Sequence, residues 1–135
     1  MKIHHIGYLV DSIANASIEF EKLGFSRISE VVDDKLRETY ILFLANEEHI
    51  VELIQPINKE SPLYGLSRKY RNSPYHICYE TVDLYEKIEQ MVHNETGGYT
   101  VIQMPQPAPA IQNCPNVAFL MNRYIGMIEL LEIRR

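Results

Sequence analysis

Four residues whose side chains could together bind a divalent cation stand at repeated positions along the chain. His5 begins the segment His-Ile-Gly-Tyr, and His76 begins the segment His-Ile-Cys-Tyr. Glu52 lies within Ile-Val-Glu-Leu-Ile, and Glu129 lies within Met-Ile-Glu-Leu-Leu. Two imidazoles and two carboxylates form a donor set suited to a divalent metal. The repeat therefore predicts both a duplicated fold and a metal site.

The strand pattern around these residues supports the same interpretation. Each His lies on the first predicted strand of its half, and each Glu lies on the last. If a pseudo-twofold axis relates the halves, equivalent residues converge on that axis. Glu52 shares a strand face with apolar Ile50 and Ile54, where an ionised carboxylate is costly unless a cation compensates it. Any one of the four residues alone is better explained as a packed His or a solvent-facing Glu.

The elements that must position these residues form two βαβββ modules. In the first module Asp11 is the predicted N-cap of a helix over residues 13–23, and Gly24 is the residue that ends it. In the second module Asp83 is the predicted cap, Leu84, Ile88, Met91 and Val92 form the apolar stripe, and Gly97-Gly98 is the break. The predicted strands cover residues 2–10, 25–32, 38–45 and 49–55, then 75–81, 99–103, 116–121 and 127–133.

Two proline-containing segments separate these elements and are predicted to be loops. The first is a polar linker over residues 57–73, between module 1 (about residues 1–56) and module 2 (about residues 74–135). The second covers residues 104–115 and contains four prolines. Long ordered loops of this kind often cover a functional site. We expect one α+β domain in which the two modules form a cupped eight-stranded mixed sheet.

Composition limits the classes of function that the chain can have. With 135 residues, 46% hydrophobic and 23% charged, it reads as one globular domain. The net charge of −5 and the lack of a long basic block argue against nucleic acid and anionic membranes as partners. No apolar run reaches transmembrane length, and His4, His5 and Asp11 interrupt any signal-peptide core. Cys78 and Cys114 could pair, but reduced thiols in a cytoplasmic protein are favoured.

The whole chain resembles the vicinal oxygen chelate superfamily, the group of glyoxalase I, methylmalonyl-CoA epimerase, extradiol dioxygenases and bleomycin-resistance proteins. The segments that carry the resemblance are His-His-Ile-Gly-Tyr, Val-Glu-Leu-Ile-Gln-Pro, Ser-Pro-Tyr-His-Ile-Cys-Tyr-Glu and Ile-Gly-Met-Ile-Glu-Leu-Leu-Glu. The resemblance implies that His5, Glu52, His76 and Glu129 are the metal ligands. It favours Ni or Co, with Zn, Mn or Fe as alternatives, and it implies a homodimer.

The resemblance also separates the members of the superfamily. The ligand order His, Glu, His, Glu is that of the bacterial nickel/cobalt type of glyoxalase I, a lactoylglutathione lyase. The epimerase typically has Gln at the position of Glu52 and an additional acidic base near Tyr40, where this chain has none in register. Proton transfer through a metal-stabilised enediolate is implied, with Glu129 or Glu52 as the base. A metal-free small-molecule-binding protein is the alternative from another class, and such proteins generally lack the acidic ligands.

The remaining polar residues carry weaker predictions. Five cationic residues could bind the carboxylates or phosphates of a thiol cofactor, although solvated surface charge is the simpler explanation: Arg37, Arg68, Lys69, Arg71 and Arg123. Three tyrosines could line the cavity, although core packing is simpler: Tyr8, Tyr40 and Tyr79. His4 points away from His5, and His49 and His93 are expected to be exposed. The substrate is predicted to be a thiol adduct or acyl thioester whose thiol is glutathione, another small thiol or CoA. Whether one site forms within a chain or across a dimer stays open.

Overall fold

The computed structural model describes residues 1–93 and 98–133, and their contacts divide into two compact units. The N-terminal unit contains residues 5–75, and the C-terminal unit contains residues 1–4 with the described part of residues 76–135. The predicted module boundaries at residues 56 and 74 stay a prediction. None of the helices in the described ranges is long and apolar enough to cross a membrane.

The N-terminal unit is built around a mixed set of strands. Its strands lie in the order β2-β4-β5-β1, with β3 paired to β4. β1 runs parallel to β5, and the other pairs are antiparallel. The elements are β1 (Ile3–Leu9), α1 (Ile13–Lys22), β2 (Ser26–Arg27), β3 (Val32–Asp34), β4 (Thr39–Asn46), β5 (His49–Pro56) and α2 (Tyr64–Lys69).

Helix α1 follows β1 and packs on one face of these strands. The predicted cap was wrong by one residue, because the side chain of Ser12, not that of Asp11, accepts the N–H of Asn15 at 3.1 Å. Gly24 ends the helix as predicted: its φ of 100° is in the left-handed region, and its N–H donates to the carbonyl of Glu21. The apolar core on this face comprises Val10, Ile13, Leu42, Leu44, Val51 and Leu53.

The C-terminal unit repeats the same arrangement. Its strands lie in the order β6-β9-β8-β7, with β6 parallel to β9 and the other pairs antiparallel. Asp83 caps the helix as predicted by accepting the N–H of Glu86 at 2.9 Å, and Leu84 and Ile88 are buried. Gly97, part of the predicted break, lies outside the described residues. The elements are β6 (Ser73–Thr81), α3 (Leu84–Val92), β7 (Tyr99–Pro107), β8 (Asn116–Asn122) and β9 (Gly126–Glu132).

The α+β class with a mixed sheet is confirmed, and three local predictions were wrong. Of the predicted strand over residues 25–32 only β2 is a strand within that range, because the hydroxyl of Ser29 accepts the N–H of Phe43 in place of a strand carbonyl, and β3 begins at Val32 and extends into the predicted turn. The described residues therefore form nine strands instead of eight. Helix α2 lies inside the predicted linker, and β7 continues to Pro107 in the predicted loop.

Candidate metal centre

In the N-terminal unit a buried imidazole lies directly beside a buried carboxylate. Gly7 of β1 is opposite Glu52 of β5, and since strand side chains alternate, His5 lies on the same face as Gly7. The Nε2 atom of His5 is 3.2 Å from the Oε1 atom of Glu52. Both residues are almost inaccessible to solvent, at 1% and 5% exposure. The two sequence-predicted ligands of this half are thus brought together.

The C-terminal unit contains an equivalent pair. Cys78 of β6 is opposite Glu129 of β9, and His76 lies two residues before Cys78 on the same face. The Nε2 atom of His76 is 3.2 Å from the Oε1 atom of Glu129, and the two residues are 3% and 4% exposed. The same ring nitrogen, the same distance and the same strand register therefore occur in both units.

Each pair includes a phenylalanine that the sequence interpretation missed. The ring of Phe43 lies 5.3 Å from that of His5 at 85°, and the ring of Phe119 lies 5.3 Å from that of His76 at 84°. Phe43 is opposite Glu52 in the strand ladder, and Phe119 is opposite Glu129. A second repeated pattern, Phe-Leu-X-Asn at residues 43–46 and 119–122, would have identified both rings.

A buried carboxylate near a buried imidazole has two chemical explanations. The imidazole can be protonated and form an ion pair with the carboxylate. Alternatively, the neutral ring and the carboxylate can both be ligands of a metal cation. Ion pairs buried in this way gain little net stability because desolvation of both charges is costly. The His and the Glu of each unit are therefore candidate ligands of a divalent metal, and the donor types alone do not decide which metal.

Three tyrosines that could have lined a cavity lie on the strand faces opposite to those that carry the His–Glu pairs. Tyr8 and Tyr40 contact the core beneath α1, and Tyr79 contacts the core beneath α3. Their simpler explanation as core residues is confirmed. His49 and His93 are exposed as expected, with partners in Glu48 and Glu89 at 3.5 and 3.1 Å.

The cationic side chains have partners elsewhere. Arg68 and Arg71 each lie 2.7 Å from a carboxylate oxygen of Asp11, and Arg37 lies 2.8 Å from Asp34. The hydrogen bond from Arg71 holds the pKa of the Asp11 carboxyl below its ordinary value, and the same bond raises the pKa of Arg71. Lys69 and Arg123 lie over the rings of Tyr70 and Tyr124.

Both cysteines are thiols, in different surroundings. Cys78 is buried and Cys114 is exposed. Cys78 packs with Ala108, Val117 and Leu131 on the face that carries the His76–Glu129 pair.

Comparison with known proteins agrees with this fold. A family model described as Glyoxalase/Bleomycin resistance protein/Dioxygenase superfamily matches residues 4–119. None of the curated proteins compared with the chain matches it significantly.

Three solved structures illustrate the similarity. A hypothetical protein from Bacillus halodurans is 25% identical with a TM-score of 0.85, covering 99% of this chain and 95% of that one. Methylmalonyl-CoA epimerase from Mycobacterium tuberculosis is 15% identical with a TM-score of 0.76, covering 96% and 86%. A Streptomyces coelicolor methylmalonyl-CoA epimerase in complex with 2-nitronate-propionyl-CoA is 17% identical with a TM-score of 0.77, covering 98% and 94%.

Proposed function

The chain belongs to the Glyoxalase/Bleomycin resistance protein/Dioxygenase superfamily, and we propose that it is a metal-dependent lyase of the glyoxalase I type. One observation carries the proposal. Each unit has a buried Glu whose Oε1 atom lies 3.2 Å from the Nε2 atom of a buried His, at equivalent repeat positions. Two such pairs in a member of this superfamily favour a metal centre over two separate structural ion pairs.

The donor set fits a single divalent cation. His5, Glu52, His76 and Glu129 would hold the ion, and the two carboxylates would match its charge of +2. Nitrogen and oxygen donors without thiolate suit Ni or Co, with Zn, Mn or Fe as alternatives. When bound, the cation would supply positive charge beside the two vicinal oxygens of a substrate.

The chain's own carboxylates would perform the proton transfer. In the proposal the carboxylate of Glu129, once released from holding the ion, removes the proton from the carbon that carries the thiol and returns it to the neighbouring carbon. Burial keeps water away from this carboxylate, so the proton is not exchanged freely with solvent. Glu52 is the second candidate for the base. The overall change is an isomerisation of an α-oxo aldehyde–thiol adduct to a hydroxyacyl thioester.

An acyl-CoA epimerase is the second candidate, supported by the two epimerases of similar fold. That reaction would need a separate base. Strand β4 has no Asp or Glu between Thr39 and Asn46, and Glu38 before it is exposed with a φ of 51°. A metal-free binding protein would gain nothing from two buried carboxylates. These features favour the glyoxalase-type activity. The proposal also takes the protein to be a cytoplasmic homodimer.

Metal content and turnover together test the proposal. The purified protein is analysed for metal, reloaded with Ni, Co or Zn, and assayed for thioester formation from methylglyoxal with glutathione, another small thiol or CoA. We expect one ion per chain and turnover. Glu129→Gln should lower kcat by at least about 100-fold, because a general base contributes about that much. The exposed His49→Gln should leave kcat unchanged.

Two outcomes would contradict the proposal. A protein that binds no metal after reloading has no centre of this kind. A metal-loaded protein that forms no thioester but epimerises a 2-methyl acyl-CoA would be an acyl-CoA epimerase, which is the second candidate function. Glu52→Gln sharpens the distinction, because it creates the ligand set expected of an epimerase.

A further inference from the structure

One buried amide donor of the C-terminal unit has no role in the chemistry described above. The Nε2 atom of Gln103 in β7 is inaccessible to solvent, and it has no hydrogen-bond partner among the residues that the structure describes. The residue as a whole is half-buried, so other atoms of its side chain remain accessible. A buried donor without an acceptor is costly, and in a native protein such a group requires a specific explanation.

A register shift in the β7–β8 ladder turns Gln103 to the face of the predicted metal ligands. Val101 is opposite Leu120, and both belong to the core beneath α3. Strict alternation would place Gln103, two residues further, on that same side of the strand. The shift after Val101 instead places Gln103 opposite Phe119. Such bulges redirect side chains and are common beside active sites.

Gln103 is the outermost member of a row of side chains on this face. Phe119 is opposite both Gln103 and Glu129, and its ring packs edge-on against that of His76. Two strand spacings, or about 10 Å, separate the backbone of Gln103 from that of Glu129, with Phe119 between them. A ligand atom that meets the Gln103 amide therefore lies on the far side of Phe119 from the His76–Glu129 pair.

We propose that Gln103 binds the thiol carrier of the substrate, by donating a hydrogen bond from Nε2 to the carbonyl oxygen of the amide nearest to the carrier's sulfur. This role rests on the proposed function, and it would hold equally for an acyl-CoA substrate, because glutathione and CoA both have an amide within a few bonds of sulfur. The hydrocarbon substituent of an α-oxo aldehyde has no acceptor for this donor. The outer torsion of Gln103 has broad minima, so rotation can present Nε2 to the carrier.

This hydrogen bond sets both the path and the selectivity of the carrier. The carrier would leave the cation across Phe119 toward β7, because that is where its amide meets Gln103. A donor without an acceptor in the free protein gains one when such a carrier binds, whereas an alkyl thiol leaves the cost of burial in place. Gln103 would therefore favour carriers that have an amide over carriers that have none.

Two probes that differ only in this amide test the role without turnover. The first is the S-(N-hydroxy-N-methylcarbamoyl) derivative of N-acetylcysteamine, and the second is the same derivative of pentanethiol. Both present two vicinal oxygens to the cation. Calorimetric titration of the nickel-loaded protein gives their two Kd values, and we expect the wild type to favour the amide probe. Gln103→Met, of similar shape, should lower this preference by about tenfold, the size expected for one hydrogen bond to a buried donor.

The pentyl probe should bind the Gln103→Met protein, which shows that the centre is intact. Gln103→Asn, whose amide stands on a shorter side chain, should also lower the preference. The matched control is Gln90→Met, since Gln90 is an exposed glutamine of α3 in the same unit. It should leave the preference unchanged.

Three results would overturn this role for Gln103. They are a wild type without preference for the amide probe, a preference unchanged in both Gln103 variants, and an equal loss in Gln90→Met. If the wild type with any of these results still converts methylglyoxal and a thiol to the thioester, only the role of Gln103 fails. A nickel-loaded protein that binds neither probe would contradict both this role and the proposed function.

Discussion

At the scale of single residues, the two His–Phe contacts explain how the imidazoles are oriented. The outer torsion of a His side chain has broad minima, so packing must fix the plane of the ring. Phe43 and Phe119 present this packing edge-on, at the same centroid distance of 5.3 Å in both units. Because each Phe is also opposite the Glu of its pair, one ring fixes the relation between both donors.

We expect Phe43→Leu and Phe119→Leu each to weaken metal binding by roughly fivefold, because a T-shaped aromatic contact contributes about 1 kcal/mol. The loss should appear in the Kd for nickel, measured by competition with a chelator, and not only in stability. Phe25→Leu is the matched control, since Phe25 makes a similar contact with Phe20 at 5.3 Å and 80° in the core beneath α1. Equal Kd values in all three variants would show that the rings do not position the imidazoles.

At the scale of elements, the side chain of Asp11, just after β1, holds the segment that contains α2. The helix has six residues and no side-chain cap, so it would be marginal in isolation. Asp11 receives hydrogen bonds from Arg68, Arg71 and Asn72 at 2.7, 2.7 and 3.3 Å. The side chain of Asn72 also accepts the N–H of Asp11 at 2.9 Å. Asp11 thereby attaches the segment after β5 to the first strand.

This attachment should depend on pH. The hydrogen bond from Arg71 lowers the pKa of Asp11 in the folded state below its ordinary value of 3.8. Its contribution to stability is therefore complete above that value and is lost as the pH falls through the folded pKa. We expect Asp11→Asn to lower Tm by roughly 2 °C at neutral pH, because the group is solvent-screened, with a smaller difference once the pH falls below the folded pKa of Asp11.

Asp33→Asn is the control for this pH dependence. Asp33 also forms a surface ion pair, with Lys35 at 3.1 Å, but it joins residues only two positions apart. Its replacement should change Tm little at any pH. If Asp11→Asn behaves in the same way as Asp33→Asn across the pH range, Asp11 does not attach α2.

The elements also show what the sequence could and could not predict. The repeat predicted that the two His and two Glu residues occupy equivalent strand positions, because alternation in a strand is a local property. Helix α2 was missed since it has no capping signal and is held by Asp11, more than 50 positions away along the chain. The cap at Ser12 was missed because Asp11 is an equally good capping residue until Arg68 and Arg71 engage it. Contacts between residues far apart in the sequence, not local conformational preference, determined both the formation of α2 and the position of the cap.

At the scale of the whole molecule, the proposed metal centre would couple the stability of the two units. Two of its donors belong to the N-terminal unit and two to the C-terminal unit. Free metal at about 100 times its Kd stabilises the folded state by about 2.7 kcal/mol, which corresponds to a rise in Tm of about 10 °C for a domain of this size. We expect nickel to produce a rise of this order in the wild type.

Removing one imidazole from either unit distinguishes one shared ion from two separate pairs. If one ion takes all four donors, His5→Ala and His76→Ala should each abolish most of the nickel-dependent rise in Tm, although each changes only one unit. If each His–Glu pair binds an ion by itself, either variant should keep the part of the nickel-dependent rise in Tm that comes from the pair in the unchanged unit. The rise upon metal addition is compared, not Tm itself, because each variant also leaves a buried carboxylate without its neighbour. The exposed His49→Ala should keep the full rise, and a His76→Ala protein that also keeps it would contradict a centre built from both halves of the repeat.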